Sequence, residues 1–170
     1  HEAYGYDFPS KRELVDRFGE ALDAIHSFQR NERTTFEGDY YRYINTPFEP
    51  KPIQQPGLPI VIGASGPRMM RITAQHADIW NTRSPLDEAM RKSRLLDEQC
   101  AEVGRDPDEI MRSVWPSQNY LTSTDDFQRY VESFLAAGFR DFLFAWPRDD
   151  AEHDVVQRIA DDIIPQLRGA

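Results

Sequence analysis

The chain has 170 residues, 39% of them hydrophobic, and a net charge of −9 from 20 Lys and Arg against 29 Asp and Glu. That apolar content supports a core and argues against wholesale disorder, yet the length falls short of the roughly 250 residues usual for a complete (β/α)8 barrel. Charges of both signs are interspersed, with no basic stripe to follow a phosphate backbone and no apolar run of about 20 residues to span a bilayer. Nucleic acid and membrane are therefore not expected partners.

In chain order, His1 is not an initiator methionine, and the opening suggests a chain that begins inside something larger. Ser10-Lys11-Arg12-Glu13 has the form of a capping box, a hydroxyl for one orphan N–H and a glutamate reaching back. Leu14, Phe18, Leu22, Ile25 and Phe28 then recur at helical steps, which predicts a long helix over 10–29 with one buried face. The run Thr34 to Tyr43 is rich in β-formers around Gly38-Asp39 and predicts a hairpin. Pro47, Pro50, Pro52, Pro56 and Pro59 next favour an extended path, so 31–58 reads as a hairpin and proline-rich insertion within a single domain, 1–170.

From Pro59 a strand–helix alternation begins. Strands are predicted at Ile60–Gly63, Asp78–Asn81, Met111–Trp115 and Asp141–Trp146, with helices near 67–76, 85–103, 124–137 and 150–166. Ser84-Pro85 offers an N-cap followed by a first-turn proline, while Gly104 and Gly138 stand where a glycine would end a helix. The lone Cys100 falls in the second of these helices and has no disulfide partner, which suits a reducing, cytoplasmic setting. Alternation of this kind points to a parallel sheet of right-handed βαβ units, and four such units make half of an eight-fold barrel.

The sharpest local feature is Pro59-Ile60-Val61-Ile62-Gly63-Ala64-Ser65-Gly66-Pro67, a short apolar strand entering a small-residue turn and then a helix with proline in its first turn. Small residues let backbone N–H groups approach a ligand, and a helix N-terminus favours a phosphate. The same pattern suits a plain tight turn with a serine N-cap. Trp80, Asn81 and Thr82 would lie at the C-terminal end of the next strand, where barrel enzymes carry their chemistry, although Trp80 also suits packing and Asn81 a loop cap. Trp115 and Gln118, with Trp146 and Arg148, occupy the same place after the last two strands. They would make an aromatic substrate wall with one positive charge, or simply anchor loops. His26 and His76 lack metal-ligand spacing, Met69-Met70 reads as core filler, and the acids at 125–126 and 149–150 read as helix N-terminal charges. No metal is expected and no catalytic residue is assignable from the pattern.

Five segments in register resemble the luciferase-like monooxygenase family: Phe36 to Tyr41, Pro50 to Pro56, Pro59 to Gly66, Ala74 to Asn81, and Gly104-Arg105-Asp106-Pro107. The resemblance implies an α/β partial TIM barrel, roughly its last four βα units preceded by a helix and a hairpin insertion. It implies a flavin- or deazaflavin-dependent oxidoreductase acting on a small organic substrate. The small-residue turn and Gly-Arg-Asp-Pro look most like the branch using coenzyme F420, with FMN as the alternative. Gly63, Ala64, Ser65 and Gly66 match the turn holding the ribityl-phosphate end, and Trp80, Asn81 and Thr82 the strand end beside coenzyme and substrate. Hydride would pass between C5 of the deazaflavin and a substrate carbon, whereas reduced FMN would activate oxygen. Relatives keep much of the ring platform and their acid–base residues in an N-terminal half outside this chain. The piece is therefore expected to lack full activity and to pair with that half-barrel or with itself as a homo-oligomer. Two rival expectations are a non-catalytic half-barrel that only binds coenzyme or a partner, and a different phosphate-binding barrel such as an isomerase or aldolase. Against the last, no lysine stands at a predicted strand end to form a Schiff base.

Overall fold

The helical period behind Ser10 becomes helix α1, Lys11–Arg30, in the computed structural model, which describes residues 1–6 and 8–168. Ser10 Oγ accepts the Glu13 N–H at 3.2 Å, so the expected cap forms. The Glu13 carboxylate, however, takes two guanidinium N–H groups of Arg17 at 2.7 and 3.0 Å instead of reaching back along the chain. A charged two-pronged donor one turn away outcompetes a neutral backbone N–H. The apolar face is narrower than its period suggests: Leu22 and Ala24 are buried, while Leu14 and Ile25 remain about 40% exposed. The described residues fall into two units, His1–Ile60 and Val61–Ala170.

In the first unit, strands β1, Arg33–Glu37, and β2, Arg42–Pro47, pair antiparallel as the β-formers predict, with a register shift between Thr34 and Phe36. Their connecting turn is gathered by one carboxylate. Glu20 accepts the backbone N–H groups of Asp39, Tyr40 and Tyr41 at 2.9, 2.8 and 2.6 Å. Gly38 makes this approach possible, because a Cβ there would stand 2.2 Å from Glu20 Oε1. Phe28 packs edge-on against Tyr43, ring centres 4.8 Å apart, and also meets Phe48. Lys51 of the proline-rich stretch donates to the carbonyls of Phe28 and Asn31, at the C-terminal end of α1 where carbonyls lack helical partners.

The second unit is a four-stranded parallel sheet in the order β3-β4-β5-β6, formed by β3, Val61–Gly63, β4, Ile79–Thr82, β5, Met111–Val114, and β6, Asp141–Phe142. Between them run α2, Pro67–His76, α3, Leu86–Val103, and α4, Thr124–Ala136. After β6 come α5, Asp150–Arg158, a π-helical turn, Ile159–Ile163, and α6, Ile164–Arg168. Sequential strands are neighbours throughout, the order that consecutive βαβ units generate. The fourth strand is shorter than predicted, and Leu143 to Trp146 leave the ladder after Leu143 N–H binds Val114 O at 3.0 Å. The last predicted helix is continuous but underwound at its centre into the wider π turn.

Most helix ends follow the chain's punctuation. Gly104, at φ 72°, and Gly138, at φ 90°, take the left-handed backbone that ends α3 and α4, a conformation other residues adopt at a cost. Asp125 and Asp126 lie in the first turn of α4, and Asp149 caps α5 by accepting the Glu152 N–H at 2.9 Å. Ser84 is not the cap of α3: Pro85 holds that position, and Ser84 Oγ instead meets Thr82 Oγ1 at 3.0 Å and Lys92 Nζ at 2.9 Å. Proline at the cap itself moves the serine one residue too far out to reach the first-turn N–H groups.

The two faces of the sheet differ. Ile62, Trp80 and Arg112 are register partners, and Val114 and Phe142 continue that side. Trp80 there is fully buried, its ring 6.1 Å from Phe139, which in turn meets Phe134 of α4 edge-on at 5.1 Å. Arg112 reaches from the same side to Ser93 and Asp97 of α3 and to the carbonyls of Pro107 and Ile110, so its charge is satisfied although it is 8% exposed. Met70, Ala74, Leu96 and Cys100 complete this helix-covered core. Burial holds the Cys100 thiol above its ordinary value, against the pull of Arg112 and Arg105, so it rests as an inert protonated group. The opposite face is open: Val61 is 56% and Met111 45% exposed.

Candidate functional site

The expected site residues gather at the C-terminal ends of the strands. β3 runs out at Gly63, Ala64 turns inward and is buried, and Ser65 and Gly66 are exposed ahead of Pro67. Gly66, not Ser65, is the N-cap of α2, at φ −90°, so the cap residue has no side chain to bind the first-turn N–H groups. Those N–H groups, with the partial positive charge of a ten-residue helix, suit an anion. Neither glycine is demanded by the chain's own geometry. Both lie outside the left-handed region, a Cβ on Gly63 would make only an ordinary 3.9 Å contact with Asn81 O, and one on Gly66 would meet nothing within 4 Å. What the two glycines preserve is open space in front of the turn.

Trp80 holds this turn from the helix side, its Nε1–H donating to Ala64 O at 3.1 Å from a fully buried ring. Thr82 is also buried on that side and pairs with Ser84. Asn81 faces the other way. It is the register partner of Gly63 on the open face and donates Nδ2–H to Ser113 Oγ at 2.8 Å. Ser113 in turn donates to Asp141 Oδ2 at 2.6 Å. Gly63, Asn81, Ser113 and Asp141 thus form one row straight across the sheet.

Trp115, Gln118, Trp146 and Arg148 do converge. They line a cavity of about 220 Å³ together with Arg83, Asn119, Tyr120 and Glu152. Its two walls are the loops after β5 and β6, tied to each other by one carboxylate. Glu152 accepts Asn119 Nδ2–H at 2.6 Å and the Arg148 backbone N–H at 2.8 Å. Gln118 is held by the Tyr120 hydroxyl at 2.7 Å, while Trp115 and Trp146 stay 45% and 77% exposed. Two arginines against one glutamate leave the cavity net positive, and its exposed indoles offer flat apolar surface. Beside it, Tyr120 stacks on Tyr130, ring centres 4.1 Å apart.

Sequence reasoning missed Ser113, Asp141, Arg83, Asn119 and Glu152. For Arg83 the signal was present, since it directly follows the strand-end Thr82. Ser113 and Asp141 become meaningful only through register, because a shift of one residue would send each to the opposite face. Among the described residues no group of three or more His, Cys, Asp and Glu is placed to hold a metal ion, and no helix is long and apolar enough to cross a membrane.

The chain is 28% identical over 162 residues to the F420-dependent glucose-6-phosphate dehydrogenase of Nakamurella multipartita, covering 94% of this chain and 46% of that protein. It is 29% identical over 182 residues to the phthiodiolone/phenolphthiodiolone dimycocerosates ketoreductase of Mycobacterium kansasii, covering 98% and 47%. The chain therefore spans about half the length of the curated relatives it matches. Among solved structures it superposes on an F420-dependent secondary alcohol dehydrogenase bound to an F420–acetone adduct with a TM-score of 0.77 at 16% identity, covering 95% of this chain and 64% of that one. The coenzyme F420-dependent tetrahydromethanopterin reductase of Methanopyrus kandleri gives 0.74 at 14% identity, covering 89% and 63%. A riboflavin lyase with modified FMN gives 0.75 at 11%, covering 99% and 60%. These likenesses match the four strand–helix units to part of a (β/α)8 barrel. The luciferase-like monooxygenase profile matches residues 1–161, and the chain belongs to that family.

Proposed function

We propose that this chain is the C-terminal half of an F420-dependent oxidoreductase and carries the turn that holds the coenzyme's phosphate end. The observation that carries the reading is the Gly63–Gly66 turn, whose glycines are not demanded by its own geometry and which leads, through a cap residue with no side chain, into α2 at the strand ends. In this reading backbone N–H groups after Gly63 bind the phosphate, and Asn81 lies beside the chain that joins phosphate to ring. Trp80 and Thr82 support the turn from behind. When bound, the coenzyme supplies hydride transfer between its C5 and a substrate carbon, while the protein fixes geometry and excludes competing reactions. The cavity of Trp115, Gln118, Trp146 and Arg148 is the proposed substrate side, suited to a small organic molecule with an apolar body and a negative or strongly polar end.

F420-dependent proteins among the relatives and structural neighbours support the coenzyme assignment. The riboflavin lyase neighbour keeps FMN as the alternative, since both coenzymes carry a ribityl phosphate. The open sheet face and the two strand edges, at β3 and β6, that have no strand partner among the described residues favour a complement of further βα units, from the rest of a longer chain or from a second copy. A cytoplasmic setting accords with the buried thiol of Cys100. Titration of the chain with F420 and, separately, FMN, followed by fluorescence with light scattering for mass, tests the reading. Saturable binding that Gly63→Asp abolishes while the variant folds supports it, because the added carboxylate would stand where the phosphate belongs. Binding that Gly63→Asp leaves intact would place the coenzyme elsewhere.

A further inference from the structure

The polar row across the open face has a fixed direction, and that direction defines a binding group. Asp141, as a carboxylate, only accepts hydrogen bonds. The single proton of the Ser113 hydroxyl is committed to it at 2.6 Å, so Ser113 Oγ can only accept from its other neighbour. That neighbour is Asn81, which must therefore present its NH2 to Ser113, as the 2.8 Å contact has it. Which way an asparagine amide points is ordinarily ambiguous, and the network resolves it here. The consequence is that Asn81 Oδ1 is turned away from the row and accepts no hydrogen bond from any described residue. It lies on the strand next to Gly63, on the face where that residue has no side chain.

Resting on the coenzyme reading above, we infer that Ser113 and Asp141 are positioning residues that lock the Asn81 amide with Oδ1 free to accept a hydroxyl of the coenzyme's ribityl chain. The chemistry matches in three respects. The ribityl chain is a row of hydroxyl donors directly attached to phosphate. Gly63 opens the turn that suits phosphate, and Asn81 is its register partner. An amide oxygen without a protein partner accepts a hydroxyl well, whereas the NH2 of a flipped amide would meet the hydroxyl donor to donor unless the sugar chain rotated. Ser113 is fully buried, so it acts only through Asn81.

The test compares wild type with Ser113→Ala, Asp141→Ala and Ser113→Thr, titrated with F420 and FMN by fluorescence and challenged with ribitol 5-phosphate or inorganic phosphate as competitors. Ser113→Ala leaves a smaller residue in a filled position, and its fold is checked by circular dichroism and by the Asn81 side-chain amide signals in an NMR spectrum. Expected is a weakening of about tenfold for F420, FMN and ribitol 5-phosphate in both alanine variants, the effect of one ordered hydrogen bond. Ser113→Thr, which keeps the hydroxyl, should stay near wild type, and competition by inorganic phosphate should not change in any variant. A merely structural role would move phosphate and ribitol phosphate together, and that result overturns the inference. Wild-type binding that Ser113→Ala leaves within twofold overturns it while sparing the coenzyme reading. Absence of saturable binding by folded wild type overturns both.

Discussion

Replacing Tyr130 by phenylalanine should stabilise the protein. Tyr130 is 8% exposed in α4, its ring stacked on Tyr120 at 4.1 Å and tilted against Phe134 at 4.7 Å, and its buried hydroxyl has no hydrogen-bond partner among the described residues. In the unfolded chain that hydroxyl is hydrated, so folding forfeits water and gains nothing in exchange. An unsatisfied buried polar group costs about 1–3 kcal/mol, and Phe keeps all the ring contacts while losing only the hydroxyl's small dispersion term. The expected gain is about 1 kcal/mol, or a rise in Tm of about 2–4 °C for a chain of this size. The pH dependence carries a second signature. Burial, with a lesser contribution from Tyr120, holds the Tyr130 phenol above its ordinary value, so the folded protein keeps the proton where the unfolded chain loses it. Stability from this group is fully present below the ordinary tyrosine range near ~10 and declines as pH rises beyond it. The advantage of Tyr130→Phe should therefore widen above about pH 10. Urea or thermal melts of both proteins between neutral pH and pH 11 measure it. A variant less stable than wild type by about 1 kcal/mol would show that the hydroxyl has a partner, and would refute the reasoning.

Three further outcomes follow from single contacts. Trp80→Leu should destabilise by about 3 kcal/mol in a denaturant titration, because it empties a fully buried ring and strips Ala64 O of its donor. Gly104→Ala should cost about 1 kcal/mol by the same measurement, since φ 72° suits glycine and crowds a Cβ. For Glu20, desolvation raises the carboxyl's pKa but is outweighed by the backbone N–H groups of Tyr40, Tyr41 and Asp39, which lower it overall. The sign follows: its contribution is present above the ordinary carboxylate range and lost as pH falls through the lowered value. Protection factors at the amides of Asp39, Tyr40 and Tyr41, each taken relative to the intrinsic exchange rate at that pH, should fall on acidification and in Glu20→Gln, and protection unchanged in that variant would show that the carboxylate does not organise the turn.

Elements that depend on local chemistry were readable from the chain. The helical period placed α1, the left-handed glycines ended α3 and α4, and apolar strands between helices gave the parallel order of the sheet. Errors arose where two local partners compete, as when Arg17 draws Glu13 off the cap of α1, or Lys92 and Thr82 engage Ser84. The loop residues Trp115, Gln118, Trp146 and Arg148 could be grouped in advance because equivalent positions after adjacent parallel strands are neighbours. The Asn81–Ser113–Asp141 row could not, since each member is an ordinary polar residue in its own strand. Only the pairing register turns them into one directed chain.

In the proposed coenzyme reading, the same register makes the row matter more in a closed barrel than in this chain alone. On the helix-covered side Trp80 and Val114 are fully buried, while on the other Val61 and Met111 remain about half exposed, an asymmetry expected of strands whose second face is meant for another layer. Further βα units closing over that face would remove water from the Asn81 carbonyl oxygen without supplying it a partner from this half of the sheet. An unpaired acceptor in a water-excluded site is costly, and a ligand hydroxyl that satisfies it gains correspondingly more than it would in water. Closure would thus sharpen the same hydrogen bond that Ser113 and Asp141 orient. The variants that weaken coenzyme binding to this chain should weaken it further once the complementary strands are present, and titrating the two forms side by side measures that difference directly.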